Sequence, residues 1–155
     1  MTVVTWFRKR PRLASLIDSS GGMTVIKALR SAEANTAPLR EEALAAVDGI
    51  LTDLEALTAV RPDEPAADLA RVYVLSASLL DVAGPFGLED MCKAAYSLCD
   101  LVDRQTRAGR CDMPPVQVHV ASLRVLAQAG QSAEARAQVL SGLELLLARE
   151  QRVGG

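Results

Sequence analysis

Few residues in this chain are equipped for chemistry, and they are scattered. One histidine, His119, and three cysteines, Cys92, Cys99 and Cys111, make up the candidate nucleophiles and soft ligands. A metal centre or redox pair needs such groups at fixed spacings, for example CxxC or paired histidines. Neither occurs, so no metal or cofactor is expected. Cys92 and Cys99 lie two helical turns apart on one stripe, and reduced, buried thiols are the expectation for the cysteines. His119 falls on a predicted helix over 114–129, one turn from Val116 and Leu123, where a packed and hydrogen-bonded ring is expected. Asp48, Asp53, Glu55, Asp100 and Asp103 have no companion histidine or phosphate-binding loop, so they read as solvated charges rather than an acid–base pair. The glycine pairs at 21–22 and 154–155 match neither GxGxxG nor a P-loop. An enzyme is not expected.

The elements that must position these residues are helices. Half of the 155 residues are apolar but only 3% are aromatic, so the core must be Leu, Val, Ala and Ile. That suits close helix packing better than a sandwich of strands. No stretch alternates with the two-residue period of a strand. Helices are predicted over 23–34, from Pro38 to about 60, and over 66–83, 88–107, 114–129 and 133–151. Their breaks fall at Arg61-Pro62-Asp63-Glu64-Pro65, Gly84-Pro85, Gly109 and Gly130, with Asp112 expected as a cap before Pro114-Pro115. Val47, Ile50, Leu51, Leu54 and Leu57 form one apolar stripe. Helices of this length joined by short turns favour antiparallel neighbours, hence an up-and-down bundle.

Residues 1–22 are a separate basic lead-in, and 23–155 are expected to form one helical domain. Up to residue 30 there are six basic residues and one acidic, Asp18; the remainder has 11 against 18. Trp6 and Phe7 beside Arg8, Lys9, Arg10 and Arg12 suit an anionic membrane or an acidic partner. A mobile or loosely docked tail is the plainer expectation. The cluster is too short, and its aromatics too sparse, for nucleic-acid binding, and the net charge of −2 gives no general attraction to it. Apolar residues precede the basic ones, the reverse of a secretory signal. No stretch is expected to reach the roughly 20 apolar residues of a membrane span. A cytoplasmic location follows as the expectation.

The helix over 66–83 departs from simple amphipathicity. At about 100° per residue, Leu69, Val72, Ser76, Leu79, Val82, Ala83 and Phe86 make the expected core seam. The opposite side collects Ala70, Tyr73, Val74, Ala77, Leu80, Asp81 and Gly84, with one charge among seven residues. A bundle helix ordinarily turns charge to water there. Either another part of the chain covers this side, or it docks a second protein or subunit.

The run from Leu69 to Leu88, LARVYVLSASLLDVAGPFGL, resembles the signature of histidine-containing phosphotransfer (HPt) domains, A-H-x-L-K-G-x-A-x-x-F-G-L. Leu79, Ala83, Phe86, Gly87 and Leu88 carry the match, which continues through Ala95-Tyr-Ser-Leu-Cys-Asp-Leu. Residues 28–57 and 114–126 are also similar to the chemotaxis-associated HPt proteins of α-proteobacteria, so the resemblance spans about 25–150. It implies an antiparallel four-helix bundle with additional N- and C-terminal helices. Ten residues before Gly87, where the family carries its phosphoryl-accepting histidine, stands Ala77. The family's lysine falls at Leu80 and its glycine at Asp81. A methyl group accepts no phosphoryl group, leucine removes a stabilising cation, and Asp81 repels phosphate. The resemblance therefore implies a degenerate, non-catalytic member in bacterial two-component or chemotaxis signalling. Its partner would be a receiver domain, a histidine kinase or a second copy of itself, met through the helix around Ala77. Two other expectations stand beside it: a structural homodimer using the same helix, and an active phosphotransferase using His119.

Overall fold

A computed structural model of the chain describes residues 22–59, 68–128 and 130–153. The basic lead-in and the proline-rich turn at 61–65 lie outside the described residues. Within them the fold is all-α, with six α-helices and no strand. The helices are α1 (Val25–Thr36), α2 (Leu39–Thr58), α3 (Leu69–Ala83), α4 (Glu89–Arg107), α5 (Met113–Ala127) and α6 (Ala133–Val153), with one 3₁₀ turn at Gly84–Phe86. The chain divides into two units between Leu39 and Arg40.

In the first unit, α1 starts where the Thr24 hydroxyl accepts the Lys27 N–H at 3.3 Å. No residue of this helix is buried.

In the second unit, five helices share one core. Val47, Leu51 and Leu54 of α2 meet Val72, Leu79 and Ala83 of α3, Leu98, Leu101 and Val102 of α4, Val116, Val120 and Leu123 of α5, and Leu143 of α6. Each fully buried leucine contributes about 2 kcal/mol of transfer free energy. The central helix is α4, which packs on α3, α5 and α6. Its buried set, Met91, Ala94, Ala95, Leu98, Cys99, Leu101, Val102 and Gln105, is wider than a single seam because three helices lie against it.

The punctuation is physical. Glu41 and Glu42 sit in the first turn of α2, where the helix dipole favours negative charge. Asp68 caps α3 by accepting the Arg71 N–H at 3.2 Å. Gly87 adopts φ 69°, a left-handed conformation costly for a side chain, and turns the chain from the 3₁₀ segment into α4. Pro114 and Pro115 occupy the first turn of α5, where no N–H is needed.

Asp112 does not cap α5 with its side chain as expected. The carboxamide of buried Gln105 holds this turn instead. Its Nε2 donates to the Asp112 carbonyl and its Oε1 accepts the Asp112 N–H, both at 2.9 Å. One amide thus donates to one backbone group and accepts from another, where a carboxylate could only accept. The other buried hydroxyls are satisfied locally: Thr58 donates to the Leu54 carbonyl and Ser76 to the Val72 carbonyl.

Polar ties fasten α2 to the rest of this unit. Arg40 donates to the Phe86 carbonyl and Gln117 to the Thr58 carbonyl, at 2.9 and 2.7 Å. Between them, Arg124 of α5 is held by both oxygens of Glu55, at 2.7 and 2.8 Å, and by Asp48 and Thr52. Asp48 and Glu55 are therefore not merely solvated charges. The guanidinium pulls the Glu55 carboxyl below its ordinary value, mainly through the hydrogen bond. Half-exposed pairs are worth about 1 kcal/mol or less. Arg124→Ala is accordingly expected to lower the melting temperature by about 2–4 °C, with Glu55→Gln costing more than Asp48→Asn because Glu55 supplies two contacts. The Glu55 part of this stability is present above pH 4.5 and is lost as pH falls through its lowered folded pKa. Thermal melts at several pH values check both points.

One sequence-based expectation needs correction. Leu69–Phe86 spans 18 residues at mean hydropathy 1.3, long and apolar enough to cross a membrane by length and composition alone. The cause is its pair of apolar sides. Only one of them, Val72, Ser76, Leu79 and Ala83, is buried in the core.

Candidate functional site

The second side of α3 is divided rather than uniform. Ala70, Asp81 and Gly84 are exposed, as are Tyr73 at 45% and Val74 at 59%. Ala77 and Leu80 are half-buried, and Leu80 packs against the core. The distinction is angular. Leu80 lies two helical turns and a fraction from Val72 and only one residue from Leu79, so it borders the seam. Val74 and Asp81, seven residues apart, point away from it. Leu80 therefore leaves the expected docking face and joins the rim of the core. Leu80→Glu is expected to cost about 1–3 kcal/mol, because a carboxylate would lie against leucine and valine side chains. A lowered midpoint in urea, with the slope unchanged, would show it.

Four residues of α4 extend the open face. Tyr96, Asp100, Asp103 and Arg107 recur at steps of four, three and four, one stripe of the helix. Tyr96 is 70% exposed. With Tyr73 and Cys99 these side chains line a shallow cavity of about 200 Å³. Arg107 pairs with Asp103, and Arg104 with Asp100, both at 2.7 Å. The result is an apolar strip of Ala70, Tyr73 and Val74, bordered by Tyr96 and by paired charges. The spacing of Tyr96 from three charged residues was a readable signal, since tyrosine is the only aromatic on the polar side of that helix.

At Ala77 the surface offers a methyl group. Of the two serines beside it, Ser76 is buried and Ser78 donates to the Val74 carbonyl at 3.0 Å.

His119 lies elsewhere, inside the core of the same unit, with no exposed surface. Its Nδ1 sits 2.9 Å from the Pro115 carbonyl, which can only accept, so Nδ1 carries the proton. Nε2 then accepts from the Ser97 hydroxyl, also at 2.9 Å. Burial depresses the imidazole pKa below its ordinary 6.5, and the ring is held neutral. Both nitrogens are occupied.

None of the three cysteines is joined in a disulfide. Cys99 is buried and Cys92 half-buried, and loss of solvation pushes both thiols up. Cys111 is exposed, against the expectation of burial. Among the described residues, no group of three His, Cys, Asp or Glu side chains is placed to hold a metal.

Compared with protein-family models, with curated proteins and with solved structures, the chain gives no match. Among the described residues, fold and site together define an all-α protein with an exposed apolar strip on α3, bordered by Tyr96 and paired charges.

Proposed function

We propose that this chain is a degenerate HPt-like, four-helix-bundle binding module of bacterial two-component or chemotaxis signalling. It docks a receiver domain or histidine kinase through α3 and takes up no phosphate. The observation that carries the reading is the pairing of two features on one helix. Tyr73 and Val74 are open to solvent, and Ala77 stands where the resembling family places its histidine. Tyr96 of α4 widens the surface. Tyrosine and branched apolar side chains on a rigid helix are the usual anchors of protein interfaces.

The reading assigns no catalytic role to His119, whose ring nitrogens are both engaged inside the core. Incubation with a histidine kinase, its receiver and labelled ATP is the test. The expected result is a complex containing this chain with no acid-labile label on it. Label on this chain would reject the reading, and label lost in His119→Ala would transfer the role to that residue.

A further inference from the structure

The open side of α3 carries one charge that nothing answers. Asp81 is the only carboxylate within this helix. It is exposed and stands one helical turn beyond Ala77 on the same stripe. None of the ion pairs made by α4 includes it.

The cations of the two helices are committed elsewhere. On α4, Lys93 lies 3.6 Å from Asp90, and Arg104 and Arg107 lie 2.7 Å from Asp100 and Asp103. The single cation of α3, Arg71, falls on another side of the helix, roughly 240° around from Ala77. There it lines a cavity with Asp53 and Leu57 of α2. The open side of α3 and α4 therefore presents apolar groups, two phenols, balanced pairs and one uncompensated carboxylate.

Such a surface separates the two states of a phosphorylatable partner. A phosphoryl group adds about −1.5 to −2 of charge. Brought up to Ala77, it would meet Asp81 with no uncommitted cation of α3 or α4 to neutralise it. It would also lose hydration against Tyr73 and Val74, which are open to solvent and largely apolar. Water excluded from the contact strengthens the repulsion further. The same partner without the group meets neither cost.

We infer that this module binds a receiver domain in its unphosphorylated state and releases it on phosphorylation. The inference rests on the docking reading above, with the partner's phosphoryl-accepting site facing Ala77, and it narrows the partner to a receiver. Asp81 sets the preference, while Tyr73 and Val74 supply the contact common to both states. The chain then holds the idle receiver and leaves the phosphorylated one free to act.

Affinities of the full chain for receiver domains of the same cell test this, each receiver unmodified and after phosphorylation by acetyl phosphate. A receiver whose acceptor aspartate is replaced by alanine controls for the reagent. The expected result is at least tenfold tighter binding of the unmodified form. Asp81→Lys should cut that preference at least threefold at unchanged melting temperature, because Asp81 is exposed and makes no ion pair. Equal binding of the two forms, or tighter binding of the phosphorylated one, would overturn the inference and leave the docking reading standing. So would a preference that Asp81→Lys keeps in full, which would belong to a change of shape in the receiver. Binding of neither form would remove both.

Discussion

His119→Ala destabilises the protein by about 3 kcal/mol at neutral pH and removes its histidine-linked loss of stability in mild acid. The size follows from two losses at once. Alanine empties a fully buried volume, and it leaves the Ser97 hydroxyl and the Pro115 carbonyl without their partner. The pH effect follows from linkage. The unfolded chain protonates His119 near its ordinary 6.5, whereas burial holds the folded ring neutral to lower pH. Between those two values the unfolded state binds more protons, so stability rises with pH there. The contribution is complete above pH 6.5 and is lost as pH falls through the folded pKa. Urea midpoints from pH 5 to 8 would show a slope in the wild type that His119→Ala lacks. An unchanged slope would mean that the ring is not held neutral in the fold.

Val74→Glu carries the second large effect. It is expected to weaken binding of a kinase or receiver at least tenfold while the helix content and melting temperature stay put. Val74 is 59% exposed and points away from the core, so glutamate there stays hydrated in the free chain. In a complex the same carboxylate would have to lose its water against an apolar partner surface, a penalty paid only on binding. Tyr73→Glu should act in the same direction. Its effect on stability should be larger, because Tyr73 is only 45% exposed and borders Cys99 and Asp100.

How far the sequence could be read follows from what each element is made of. Proline and glycine placed the helix ends well: Leu39–Thr58, Glu89–Arg107 and Met113–Ala127 each lie within a few residues of the expected spans. Val47, Leu51 and Leu54 are buried as their periodicity requires, since one helix face meeting one core leaves little choice. Periodicity failed where a helix carries two apolar sides. On α3 it grouped Leu80 with Val74, yet Leu80 packs on the core and Val74 does not. The angle of the seam depends on where α4 lies, and that is not written in α3. Gln105 and Arg124 show another limit. Each reads as an ordinary surface residue of its helix, and each works through a partner 7 to 76 positions away. His119 was read as a packed residue, but its neutral state needed Pro115 and Ser97 in place.

The most direct measurement is the affinity of the purified chain for the histidine kinases and receiver domains of the same cell, wild type beside Val74→Glu. The account predicts that at least one of them binds, that Val74→Glu weakens it tenfold or more at unchanged melting temperature, and that no phosphate moves onto this chain. It would be contradicted by failure to bind any of them, or by a Val74→Glu protein that binds as tightly as the wild type.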